Sequence, residues 1–468
     1  MAARRAVEGQ IVNKAVATLN DTPIQRFKPY PAYKESGLDW LGQIPADWTI
    51  APVYARYEVA LGKMLDAARV TGESSGHYLR NVDVQWDAVN TEGLPEMDFA
   101  PRERDRYLLH PGDLLVCEGG EVGRTAIWHG QIEECFYQKA IHRLRPRSGQ
   151  EAPRFFYYLM YTLAKRGLFV AGGNPNTIDH LTAVQLRHYR LPFARPQEQR
   201  AIVTFLDRET AKIDALVAKK EQLIELLREE RTALITKAVT KGLDQNVPMK
   251  ASGVEWLGEI PAHWEVERTK YVARLRSGHT PSRQHPEYWV DCTIPWFGLA
   301  DVWQLRDGRQ EYVVDTSEKI SELGLANSAA RLLPKGTVIV SRTASVGFSA
   351  IMGTTMATTQ DFVNWVCGER IRPEYLLYVF RSMGREFRRL TMGSTHQTIY
   401  MPDVGKFSTP VPPVREQDEI ITFVRAEAAR IDKLTDKVRN AIDRLKEFRA
   451  ALISAAVTGK IDVREDVA

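Results

Sequence analysis

The side chains of this 468-residue chain that are grouped as if for chemistry are hydrogen-bonding forks and hydroxyls set in glycine-bearing loops. Ser277-Gly-His-Thr-Pro-Ser-Arg283 combines small hydroxyls, backbone freedom at Gly278 and a guanidinium at Arg283, with His279 and Thr280 between them. Such a loop can bring its amides to a phosphate while its side chains reach base edges. Ser341, Arg342, Thr343 and Gln360 add groups suited to guanine or adenine in a major groove, and the run Gly393, Ser394, Thr395, His396, Gln397 is a second glycine-freed polar loop. Earlier in the chain Arg124, Gln138, Lys139, His142 and the loop holding Asn174 and Asn176 fall at corresponding places. Arg, Asn and Gln are the residue types whose forks fit base edges. Any one of these residues is more often a solvated loop residue, but corresponding polar loops in two halves make the set stronger than its members.

Catalytic motifs are missing. No Gly-x-Gly-x-x-Gly follows a strand, and there is no phosphate loop ending in Gly-Lys-Ser/Thr, no His-Glu-x-x-His and no Gly-x-Ser-x-Gly. Asn174-Pro-Asn176 lacks the second proline and the aromatic residue of the run that amino-methyltransferases use. The histidines are isolated, and Glu133-Glu134 and Glu229-Glu230 sit in charged stretches that read as solvated surface. Four cysteines, Cys117, Cys135, Cys292 and Cys367, stand singly, so a reduced, cytoplasmic setting without structural metal is expected. No signal peptide and no membrane span is read, and 44% hydrophobic with 26% charged residues is the composition of a soluble globular protein. A formal net charge of +4 means that any polyanion has to be met by local patches.

The elements that position these loops are duplicated. The phrase from Lys34 to Trp48 returns from Lys250 to Trp264, and Glu198-Gln199 returns as Glu416-Gln417, so nearly the whole unit repeats. Trp40, Trp48, Trp256 and Trp264 are expected as core anchors. Each half holds a turn feeding an apolar strand (His110 to Val116; Leu333 to Val340), a polar loop and a second strand, then a short helix (153–165; 373–387). A proline-bearing lead-in then delivers the chain into a long helix. In the second such helix Ile420, Val424, Glu427, Ile431, Leu434, Val438, Ala441, Leu445, Phe448 and Leu452 alternate steps of four and three, a heptad seam. The first keeps the phase through Ile202, Leu206, Ile213, Leu216, Leu223, Leu227 and Leu234, interrupted by Glu209, Lys220 and Glu230. About 40 residues at 1.5 Å each make a rod of roughly 60 Å.

The division expected is an arm (1–32), a first domain (33–196), a central helix (197–244), a second domain (245–414), a C-terminal helix (415–463) and a tail (464–468). The class is α+β: two similar mixed α/β domains joined by two long antiparallel coiled-coil helices with a pseudo-twofold repeat.

Gly37 to Trp48 and Gly253 to Trp264, Gly278-His-Thr-Pro281, Ser341 to Gly347, and Pro412-Pro-Val-Arg-Glu-Gln417 with its helix together resemble the specificity subunit of type I restriction-modification enzymes. The resemblance covers nearly everything from about residue 33 to 463, and its specificity lies in the order of motifs. It departs at Arg195-Pro-Gln-Glu-Gln199, which lacks the fuller Pro-Pro form, and at the first glycine loop, which lacks the Ser-Arg opening. It implies two target recognition domains, each reading one half of a split sequence in double-stranded DNA. Their spacer helices dock two methyltransferase (modification) subunits, and with motor-nuclease (restriction) subunits the assembly cuts unmodified DNA. It implies no cofactor in this chain; S-adenosylmethionine, ATP and Mg belong to the partner subunits. Glu209, Lys220, Glu230 and Glu427 are candidates for partner contact, though exposed charge alone accounts for them about as well. Two other classes stay open: a duplicated coiled-coil scaffold that binds only proteins, and a self-sufficient enzyme, which the absent motifs disfavour.

Overall fold

The phrase that opens each half folds the same way twice. In the computed structural model, which describes residues 27–65, 71–169, 180–392 and 397–467, the strands Tyr33–Glu35 and Gln43–Pro45 pair antiparallel, as do Met249–Ala251 and Glu259–Pro261. Trp48 and Trp264 then drop into the core, while Trp40 and Trp256 stay half-buried, so two of the four expected anchors are fully seated. Most of the N-terminal arm lies outside the described residues.

The chain divides into two units, Met1–Lys219 with Ala441–Ala468, and Lys220–Asn440. In the first, an antiparallel sheet runs in the order Thr125–Ile127, Leu114–Cys117, Ile141–Pro146, Tyr57–Leu61. A three-stranded sheet of Phe136–Tyr137, Ser75–Leu79 and Glu96–Asp98 accompanies it. The second unit repeats this as Ser349–Met352, Val338–Ser341, Phe362–Cys367, Ala273–Ser277 and as Ala357–Thr358, Ile294–Phe297, Glu318–Ile320. It adds Tyr312–Val313 parallel to Ser349–Met352. The central strands are apolar on both faces because both are covered. Val338 and Val340 pack toward the helices, whereas Ile339 joins Phe297, Met352 and Phe362 on the other side. The short helix Pro153–Lys165 is as expected; its counterpart breaks into Pro373–Ser382 and Gly384–Thr391.

Each unit holds the start of one long helix and the end of the other. The first helix is Pro196–Lys241 and the second Val414–Val457. In the first unit buried Trp48 lies beside Glu198, at the start of the first helix, and beside Gly459, just past the end of the second. In the second unit Trp264 donates to Glu416 (3.0 Å) at the start of the second helix and packs on Gly242, just past the end of the first. The helix portions within each unit are therefore antiparallel, and Arg449 to Asp214 (2.9 Å) and Arg231 to Asp432 (3.5 Å) link them. The repeated glutamine is a staple. Gln199 accepts from the Ala152 amide (3.0 Å) and donates to the Ala194 carbonyl (3.0 Å). Gln417 does the same with Arg372 (2.9 Å) and Pro412 (2.9 Å), so each fixes a short helix to the proline lead-in. The end of the second helix also returns to the start of the described chain, since the Asp462 amide donates to the Lys28 carbonyl (2.8 Å).

The seam differs from the expected one by one residue in alternate positions. Ile202, Leu206, Ile213 and Leu227 are buried as expected, but Thr210, Val217 and Ile224 are inside where Glu209, Leu216 and Leu223 were expected. On the second helix Ala428, Thr435 and Ile442 are inside in place of Glu427, Leu434 and Ala441. A heptad row has apolar neighbours at both +3 and +4, and hydrophobicity alone does not choose between them. Here the row with small or β-branched members is buried, which lets helix surfaces approach closely. The hydroxyls of Thr210 and Thr435 are satisfied by the carbonyls four residues back, Leu206 (2.7 Å) and Ile431 (3.0 Å), so burying them costs little.

Candidate nucleic-acid interface

The polar loops grow from one backbone frame present in both units. In the second, the strand Val338–Ser341 runs into a loop that closes when the Gly347 amide donates to the Ser341 carbonyl (2.9 Å); in the first, Gly123 donates to Cys117 (3.0 Å) after the same number of residues. Both glycines have positive φ, and a Cβ on either would strike an aromatic ring, Phe169 or Phe387. What differs is the loop they close: Glu118-Gly-Gly-Glu-Val122 against Arg342-Thr-Ala-Ser-Val346. A second shared device is Gly62 and Gly278. A Cβ at either would lie 2.2 or 2.1 Å from the backbone oxygen of Gln138 or Thr359, so the strand end crosses its neighbour at a distance only glycine allows. Gly278 was expected to lend freedom for phosphate approach; its role is this close crossing, and it is buried.

Arg342 is the hub of the second unit. Its amide donates to the Asp361 carbonyl (2.8 Å) and its carbonyl accepts from Ile399 (2.8 Å). Its side chain donates from Nε to the Gln360 carbonyl (3.0 Å) and from Nη1 to that of Ile399 (3.3 Å). The Gln360 side chain accepts from the Thr280 hydroxyl (2.6 Å), and Thr343 pairs with Thr398. The structure thus brings Thr280, Arg342, Thr343 and Gln360 together with exposed His279 and Gln397. Ser341 is fully buried and supports the loop through the Thr343 carbonyl (3.2 Å). Arg283 stands apart, stacked on Trp289 at 4.0 Å and paired with Glu318 (2.7 Å). Ser394, Thr395 and His396, like Asn174 and Asn176, lie outside the described residues.

In the first unit the matching hub is Glu118, whose amide donates to Ala140 (3.0 Å) and whose carbonyl accepts from Leu181 (2.8 Å). Lys139 is exposed and Gln138 half-buried beside it. Arg124 turns inward, donating to the Asn81 carbonyl (2.7 Å), and so braces the loop. His142 is the clearest correction. It is fully buried on the strand Ile141–Pro146, its Nε2 bonded to the Leu181 carbonyl (2.6 Å), and it reaches no external ligand. Burial lowers its pKa and so favours the neutral ring, opposed in part by that bond and by the nearby Glu118 charge. Sequence reasoning missed Glu118, the counterpart of Arg342, which setting the turn at Gly112 against that at Gly336 would have found; Lys63, the counterpart of His279, is tied inward by Glu103 (2.6 Å) and the Asp98 carbonyl (2.7 Å). The buried thiols are unsuited to nucleophilic chemistry: burial pushes Cys117 up to about 11 and Cys135 up to about 12. On the long helices Glu209 pairs with Lys212 (2.8 Å) and Glu427 with Arg430 (2.9 Å), Lys220 is half-buried, and Glu230 is exposed. Among the described residues no helix is long and apolar enough to cross a membrane, and no cluster of three His, Cys, Asp or Glu side chains is placed to hold a metal.

Paired domains that display different polar loops on one frame, each closed by long helices, define a duplicated recognition protein. The chain belongs to the type I restriction modification DNA specificity domain family, whose sequence pattern matches residues 93–226 and 261–444, more than half of its length. It is similar to a putative type I restriction enzyme specificity subunit, MjaX, of Methanocaldococcus jannaschii, 22% identical over 442 residues that span 91% of this chain and 96% of the relative. It is also similar to the EcoKI specificity subunit of Escherichia coli, 21% identical over 445 residues and 90% of each chain. The HsdS subunit from Thermoanaerobacter tengcongensis shares the fold, with a TM-score of 0.52 and 14% identity over 91% of this chain and all of that one. So does a chain from a type I R-M system, with a TM-score of 0.61 and 16% identity over 88% of this chain and 98% of that one.

Proposed function

We propose that this chain is the non-catalytic DNA-recognition subunit of a type I restriction-modification complex, each unit reading one half of a bipartite, asymmetric duplex target. The observation that carries this is the substitution of Glu118 by Arg342 at one place in a duplicated frame. A guanidinium suits the acceptors of guanine, and a carboxylate suits the amino group of cytosine, so the same frame is set to prefer different bases. The long helices dock two methyltransferase subunits. Leu216 and Leu223, 43% and 40% exposed and left outside the seam, support a protein-facing role for the helix surface better than its charges do. Methyl transfer and cleavage, with S-adenosylmethionine, ATP and Mg, reside in partner subunits, motor-nuclease subunits among them.

Mapping methylated positions in cells with the wild-type chain and with Arg342→Ala tests the reading. Loss of the hub is expected to relax or change recognition in one half-site, by roughly 10–100-fold, with the other unchanged. Equal loss at both halves contradicts the division of labour. A scaffold that binds only proteins would show no salt-dependent affinity for duplex DNA.

A further inference from the structure

We propose that the second unit carries a phosphate clamp for the DNA backbone, formed by Arg274, Arg276 and Arg331, which the first unit lacks. It rests on the DNA-recognition reading above and adds where the backbone is held. Arg274 and Arg276 alternate along the edge strand Ala273–Ser277, so both side chains leave the same face. Arg331 comes from the segment after the helix Glu322–Ala326. The three line an open cleft of about 480 Å³ with Leu325, Leu333 and Val366, and no carboxylate lines it. Among the described residues none of the three guanidinia has a hydrogen-bond or ion-pair partner.

The first unit builds the same place with its charges paired internally. Its strands Tyr57–Leu61 and Ile141–Pro146 pair in the same register, Glu58 opposite Arg145 and Ala60 opposite Arg143, where the second unit sets Arg274 opposite Val366 and Arg276 opposite Asn364. There the arginines are answered internally, Arg143 by Glu58 (2.6 Å) and Arg145 by Asp113 through two bonds of 2.7 Å. In the second unit the charges have moved to the edge strand and the acids are gone. Guanidinium is charged at every relevant pH, and like charges around one cleft repel until an anion enters. A phosphodiester accepts the bidentate contact guanidinium offers.

The duplex backbone fits better than a free anion because the edge strand runs directly into the recognition loop. Arg276 and Thr280 are four residues apart, ~13 Å of extended chain, well inside the roughly 34 Å turn of B-DNA. One half-site can therefore meet both.

The test is equilibrium binding of the full chain to a mixed-sequence duplex across a potassium chloride series. The variants are Arg274→Gln/Arg276→Gln, Arg274→Lys/Arg276→Lys, and Lys406→Gln/Arg415→Gln, which removes two exposed charges elsewhere. The glutamine pair in the cleft is expected to flatten the slope of log affinity against log salt by about 2, with an unchanged melting temperature, while the lysine pair and the distant pair keep the wild-type slope. An unchanged slope for the cleft glutamines, or an equal fall for the distant pair, overturns the clamp while leaving the functional reading intact. Loss of co-purifying protein partners with DNA binding unchanged also overturns it, because the arginines then face a protein carboxylate. A wild-type chain without salt-dependent binding sinks the functional reading and the clamp together.

Discussion

Residue by residue, the two glycine-closed loops obtain different chemistry by exchanging four of their five residues within one backbone frame. Glu118 and Arg342 make the same two backbone bonds, so the side chain is free to vary without disturbing the frame. Arg342 then spends Nε and Nη1 on neighbouring carbonyls, which orients the rest of the guanidinium. His142 is a contrasting case, a polar residue held neutral inside. Its folded pKa lies below the usual histidine value of about 6.5, so the unfolded chain takes up a proton first as pH falls. The stability tied to the neutral ring is present above about pH 6.5 and is lost below it. His142→Gln is expected to lose less melting temperature than the wild type between pH 7.5 and 5.5; equal losses would show that the ring titrates freely. The primary structure held a partial signal, since His142 follows Ile141 in a strand-like run while His279 stands in the turn-like Gly278-His-Thr-Pro281, but the carbonyl of Leu181 that pairs with the buried ring is 39 residues away.

Among the elements, the long helices are where sequence pattern reached furthest and then slipped. Their existence and their starts at the proline lead-ins were legible, since prolines and heptads act locally, whereas the expected ends at 244 and 463 overran Lys241 and Val457. The choice of the second row was not, because it depends on the shape of the opposing surface. Ile224→Ala is expected to cost about 2 kcal/mol or more, and Leu223→Ala under about 1 kcal/mol, in chemical denaturation. The opposite order would restore the original seam. Glu198-Gln199 and Glu416-Gln417 were legible as repeat markers, but their work was not. The amide of Gln199 or Gln417 has to be seen bridging three segments distant in sequence before its recurrence makes physical sense.

At the scale of the whole chain, duplication gives equivalent architecture with unequal electrostatics. The first unit neutralises its strand arginines internally and the second does not, a difference spread over positions too far apart in sequence to read as a motif. The pairing of Asp462 with Lys28 has a further consequence. In the second unit the segment after Gly242 leads straight into the strand Met249–Ala251. In the first unit, hydrogen bonding brings the segment after Gly459 to the segment before Tyr33–Glu35. The covalent path is thus a near-closed ring opened at one of two similar points. A circular permutant that joins residue 465 to residue 27 through a short glycine-serine bridge and opens between Asp244 and Gln245 is expected to melt within a few degrees of the parent and to read the same target. Its half-sites would be encoded in swapped order, so the order of the genes' halves carries no information about the order of bases.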